Sequence, residues 1–234
     1  MAQCFRFWGG VVHPLIGRYV CAGNEAYLDI NLLIEKAQLY APTRIEALWV
    51  TAVESGWYPT QHTPVLLYEN LFNDLDVLDS LMVERLNNAY ESIVADLLKN
   101  LESRRHIVSA ALTLHEDENY VASIPLFLSQ VDGIFDTTFG SSFFSRRDGE
   151  KSKIYRMVEQ KSGAFFKVFL RQSIVKNQFS ANSKSHQIDD KVRGPNRNGI
   201  LHGVETHLDY GAYVNSCKCL TLLSYVTWVC AYYG

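Results

Sequence analysis

Towards the C-terminal end of the chain, Asn196-Arg197-Asn198-Gly199-Ile200-Leu201-His202-Gly203 puts a guanidinium and an imidazole on one short stretch. Arginine offers a fixed positive fork that matches phosphate oxygens, and histidine exchanges a proton near neutrality. A phosphodiester on its way to cleavage needs both. With four residues between them on a helix, Arg197 and His202 would project within one to one and a half turns of each other, so both could reach a shared cleft. The spacing by itself is a weak signal. Twelve Arg and seven His in this chain would produce such a pair by chance about once.

The surroundings add weight. Residues 151–202 hold eleven basic side chains against three acidic ones, although the whole chain has a net charge of −3. A basic block running into an Arg/His stretch is what a polyanion-binding cleft requires, while a solvated basic helix face is the plainer alternative. Arg193, just upstream, and Lys218, in the last helix, are further candidate phosphate contacts. Asp132 is the candidate acid. It interrupts an apolar helical stretch, either as part of a polar face with Gln130 and Asp136 or as an inward carboxylate orienting Arg197 or His202. The competing structural reading of Arg197 pairs it with Asp189 or Asp209 at a helix start.

The elements that would hold these residues are helical. Leu71, Leu75, Leu78, Met82, Leu86, Tyr90, Ile93, Leu97 and Leu101 follow one another at steps of three or four. That pattern predicts one long amphipathic helix, or two in line, over residues 66–101. Helical spacing also covers 26–39, a start at Pro42-Thr43, 103–117, 124–139 and 153–179. A final apolar helix carries Val214, Cys217, Leu220, Leu223, Val226 and Val229. Gly56-Trp57-Tyr58-Pro59 breaks the chain and should dock its aromatic pair onto a helical body. The acidic run after His115 reads as a solvated helix end, with Asn119 capping the next helix and Pro125 tolerated near its first turn. Residues 140–151 read as a polar turn and 180–195 as a flexible loop. Residues 1–25 leave short strands and irregular segments equally open.

Composition sets the outer bounds. A hydrophobic share of 47% with 20% charged residues fits a folded globular chain, and six Pro argue against extended linkers. Five cysteines without paired spacing point to buried free thiols in a reducing compartment, with no metal site. The first residues lack the pattern of a secretory leader, and no run of eighteen apolar residues could span a membrane. The expectation is a cytoplasmic, all-α protein: an N-terminal helical region over 1–118 and a four-helix unit over 119–234.

The C-terminal half resembles a HEPN domain, a small helical bundle found in prokaryotic defence and toxin systems. The residues that carry the likeness are Arg197-Asn198, His202-Gly203, the upstream helix with Asp132-Gly133, and Asp209-Tyr210-Gly211 leading to Asn215-Ser216-Cys217-Lys218. The resemblance implies an up-down four-helix unit and a homodimer in which two such motifs face one cleft. It implies metal-independent endoribonuclease activity, without a cofactor, on RNA. Arg197, Asn198 and His202 then take the catalytic positions, and an antitoxin or defence-system protein is the implied partner. Members regulated by nucleotidylation carry Tyr two residues beyond the His, where this chain has Val204, so that regulation is not implied. Many HEPN domains serve instead as binding modules, which makes a non-catalytic RNA- or nucleotide-binding module the second expectation.

Overall fold

The computed structural model describes residues 5–7, 10–12, 18–21, 24–27, 42–64, 67, 69–144 and 194–233. The chain divides into two compact units, 1–45 and 46–234. In the first, the backbone forms four short strands: β1 (Phe5–Phe7), β2 (Gly10–Val12), β3 (Arg18–Cys21) and β4 (Asn24–Tyr27). They pair antiparallel in chain order as a meander, with Phe5 opposite Val12, Val11 opposite Val20 and Arg18 opposite Tyr27. The described part of the first 25 residues thus takes the short-strand option that the sequence left open, Ala26 and Tyr27 lie in β4 where a helix over 26–39 was expected, and residues 28–39 lie outside the described residues. Strands of three or four residues are too short to show a clear two-residue alternation.

Among the described residues from 42 onwards, every regular element is helical. The helices are α1 (Pro42–Glu54), α2 (Leu75–Asn100), α3 (Arg105–Glu116), α4 (Tyr120–Phe139), the short α5 (Arg197–Leu201) and α6 (Tyr213–Tyr233). Proline stands at the first position of α1, where its missing N–H costs nothing. Asp74 caps α2 by accepting the N–H of Asp76 at 2.9 Å. The inward stripe of α2 is Leu78, Met82, Leu86, Ala89, Ile93 and Leu97, all buried, as the spacing predicts.

In the second unit, α6 packs along α4 and α2, while α3 packs against α4 and α2. This bundle-like packing takes two of its four helices from before residue 118. The expected division at 118/119 therefore does not coincide with a boundary between units. Only the short turn at 117–119 joins α3 to α4, and the two helices lie against each other. Helix α6 is apolar on nearly all sides because it is covered on nearly all sides, with an unbroken buried run from Ser216 to Leu223. Its thiols Cys217, Cys219 and Cys230 are free and buried. Burial pushes Cys217 up to about 12 and Cys230 up to about 11, so both stay protonated near neutrality.

Pro125 lies inside α4 and leaves the carbonyl of Val121 without its usual intrahelical donor. The hydroxyl of Tyr210 donates to that carbonyl at 3.0 Å. Asn119 precedes α4 but makes no side-chain cap. His115 does not share the solvated end of α3. Its ring is buried, stacked between Tyr90 and Tyr213, with Nδ1 2.8 Å from Ser216 Oγ. The break at Gly56 (φ +88°) turns Trp57 and Tyr58 fully into the core, as the sequence predicts. The expected helix over 153–179, the loop up to Arg193 and Arg193 itself lie outside the described residues. No described helix is long and apolar enough to cross a membrane.

Candidate functional site

The Asn196–Gly203 stretch forms one short helical turn closed at both ends. The Asn196 side chain accepts the N–H of Gly199 at 2.9 Å, satisfying a donor that the first turn leaves free. At the other end Gly203 takes a left-handed conformation, φ +62°, which a residue without Cβ adopts at little cost. The N–H of Gly203 then reaches Ile200 O at 3.1 Å and that of Val204 reaches Gly199 O at 2.9 Å. This paired reversal is a Schellman closure. Gly199 is required for a different reason: a Cβ there would collide with the His207 ring.

Arg197, the first residue of α5, turns its side chain towards α4. Its Nη2 donates to Asp132 Oδ2 at 3.1 Å, and its Nη1 donates to Asn198 Oδ1 at 2.9 Å. The guanidinium lies over the Phe144 ring, 5.1 Å from the centroid. The other Asp132 oxygen accepts from Ser142 Oγ at 2.5 Å. Arg197 and Asp132 side chains are 24% and 23% exposed, so the pair is held mostly out of solvent. Arg197 Nε is buried, with no hydrogen-bond partner among the described residues.

Three of the residues singled out in the sequence thus meet: Asp132, Arg197 and Asn198. The carboxylate facing Arg197 is Asp132, not Asp209, while Asp189 lies outside the described residues. His202 stands at the far end of α5, exposed, and its ring makes no hydrogen bond to these three. Its backbone N–H closes the helix on Asn198 O at 3.0 Å. Nothing in the described structure fixes the imidazole in one orientation.

Lys218 does not belong to this site. It is 1% exposed, its Nζ lies 3.0 Å from Asp79 Oδ1, and it stands over the Trp57 ring at 5.4 Å. Asp79 also accepts from Trp57 Nε1 at 2.7 Å. A buried ammonium neutralised by its own carboxylate is not offered to a phosphate. The residues missed by sequence reasoning are Ser142 and Phe144, which hold Asp132 and Arg197 in place. Their only signal was a position just beyond the helix-ending Gly140. Among the described residues no cluster of His, Cys, Asp and Glu could hold a metal ion. Compared with protein-family models, curated proteins and solved structures, the chain matches none.

Proposed function

We propose that this chain is a metal-independent endoribonuclease of HEPN type, working in the cytoplasm as a homodimer in phage defence or a toxin system. The observation that supports it most is an arginine held by a carboxylate on the same capped turn that leaves a histidine open to solvent. Arg197 would take a non-bridging oxygen of the scissile phosphate and offset the charge that builds there. The Asn198 carbonyl is occupied by Arg197, which leaves its amide N–H groups free to donate to the same phosphate. His202 would remove the proton from a ribose 2′-hydroxyl, and the second copy's His202 would protonate the leaving 5′-oxygen. The products would be a 2′,3′-cyclic phosphate and a free 5′-hydroxyl, so the substrate is RNA. The test is cleavage of single-stranded RNA in EDTA by the purified chain and by His202→Ala. Cutting should vanish in the variant while its unfolding midpoint stays in place; undiminished cutting would refute the proposal.

A second reading, a non-catalytic RNA- or nucleotide-binding module, draws on a different observation. The Arg197 guanidinium is already engaged by Asp132, Asn198 and Phe144, and His202 has no orienting partner among the described residues. On this reading both wild type and His202→Ala bind RNA with the same steep salt dependence, and neither cuts it.

A further inference from the structure

A hollow of about 220 Å³ opens between α2, α6 and the segment after Trp57, and shares no residue with the Arg197 turn. Its α2 wall carries two opposite charges that do not use each other. Asp96 and Lys99 stand three residues apart, a spacing at which a carboxylate and an ammonium on one helix ordinarily meet. Here Asp96 pairs with His62 instead, whose Nε2 lies 2.7 Å from Asp96 Oδ2. Lys99 is exposed and has no carboxylate partner among the described residues. With the Gln61 amide turned to satisfy both its ends, its nitrogen donates to the same Oδ2 at 3.3 Å and its oxygen accepts from Trp228 Nε1. These bonds hold the carboxylate from one side, and neither a neutral imidazole nor an amide cancels its charge. Asp96 Oδ1 has no hydrogen-bond partner among the described residues, and the side chain is 40% exposed.

That pattern of charge selects a ligand. A simple anion placed here meets Asp96 and a simple cation meets Lys99, so each is attracted by one group and repelled by the other. A zwitterion whose ammonium and carboxylate hang from one carbon answers both. Its ammonium can donate to Asp96 Oδ1 while its carboxylate accepts from Lys99. Beside the two charges the hollow offers an apolar surface: the half-buried indole of Trp228 and, one turn further along α6, the exposed Ala231. The bond from its Nε1 to Gln61 holds the indole in place. The volume lies below the roughly 300 Å³ at which pockets for drug-sized molecules begin, which suits one small metabolite. We infer that this hollow binds a free amino acid with an apolar side chain, its ammonium on Asp96, its carboxylate on Lys99 and its side chain against Trp228. A peptide cannot take its place, because its two terminal charges belong to different residues. The inference stands independently of the nuclease proposal.

Calorimetric titration of the full chain tests it with leucine and phenylalanine. Each is compared with the amine that lacks its carboxylate (isoamylamine, phenethylamine) and with the acid that lacks its ammonium (isocaproate, hydrocinnamate). At least one amino acid should bind about tenfold more tightly than either of its analogues, the equivalent of one lost charge-assisted hydrogen bond. Lys99→Met, at an exposed position, removes the charge that holds the carboxylate, so in that variant the amino acid and its amine should bind alike. Asp96→Asn keeps the shape and an acceptor for His62, and in that variant the amino acid and its acid should bind alike. Three outcomes overturn the inference: no heat from either amino acid at millimolar concentration, an analogue that binds as tightly as its parent, or binding that Lys99→Met leaves unchanged.

Discussion

If Asp132 is what holds Arg197, the two side chains must be energetically coupled, and the coupling can be measured. The perturbation is Asp132→Asn, which keeps the shape and removes the charge, combined with Arg197→Met, which keeps the aliphatic stem and removes the fork. Each side chain is about one quarter exposed, so the pair lies between two limits. Exposed pairs contribute about 0–1 kcal/mol, whereas breaking a buried pair costs about 3–5 kcal/mol. The direct hydrogen bond, the Ser142 bond to the other Asp132 oxygen and the Phe144 contact place this pair towards the middle. Each single substitution should therefore cost about 2 kcal/mol, and the double mutant should cost less than the sum by about 1–2 kcal/mol. Urea unfolding followed by far-ultraviolet circular dichroism reads all four proteins. In a thermal scan each kcal/mol appears as a shift of about 2–4 °C for a unit of this size. Additivity to within about 0.3 kcal/mol would mean that the carboxylate does not position the arginine, and the geometric basis of the proposed site would go with it.

Two further outcomes concern the frame around that pair. Gly199→Ala drives a methyl into the His207 ring and should cost about 1–3 kcal/mol in unfolding free energy. Gly199→Ala with His207→Ala should recover most of the loss; an equal loss in both backgrounds would rule out the clash as its cause. His115 supplies a pH dependence. Burial holds its folded-state pKa below the ordinary value of 6.5, so the unfolded chain binds more protons in the interval between the two. Its contribution to stability is complete above about pH 6.5 and declines as pH falls, by up to about 1.4 kcal/mol per pH unit. Urea midpoints between neutral and mildly acidic pH should fall more steeply for wild type than for His115→Gln; parallel profiles would contradict the assignment.

What the sequence discloses follows from how far apart the interacting residues lie. The α2 stripe was readable because its rule is local: each buried side chain is three or four positions from the next. Asp132 was readable as a candidate, since a carboxylate among apolar neighbours stands out. That Asp132 faces Arg197 could be raised from the sequence only as one option, because the two are separated by 65 residues. Lys218 was misjudged for the same reason, as its partner Asp79 lies 139 residues away and no local pattern marks a lysine as internal. The acidic run at 116–118 was legible as a solvated helix end, and its side chains are exposed, but nothing in it told that the helices on either side pack together. Nothing local told His115 from an exposed histidine; its stacking partner Tyr213 and its bond to Ser216 come from α6.

The order in which the helices leave the ribosome has a bearing on how this core closes. Helix α6 is the last described element along the chain, yet α2 and α4 both rest on it. Until it emerges, Asp79 lacks the ammonium that neutralises it, and His115 lacks both the Ser216 hydroxyl and one face of its aromatic sandwich. A nascent chain that has made the first four helices therefore carries an uncovered apolar groove with polar groups still waiting for partners, a state that invites chaperone binding or association with other chains. Synthesis paused ahead of residue 213 would leave the unit without its central strut, and completion of the fold would wait on the final segment.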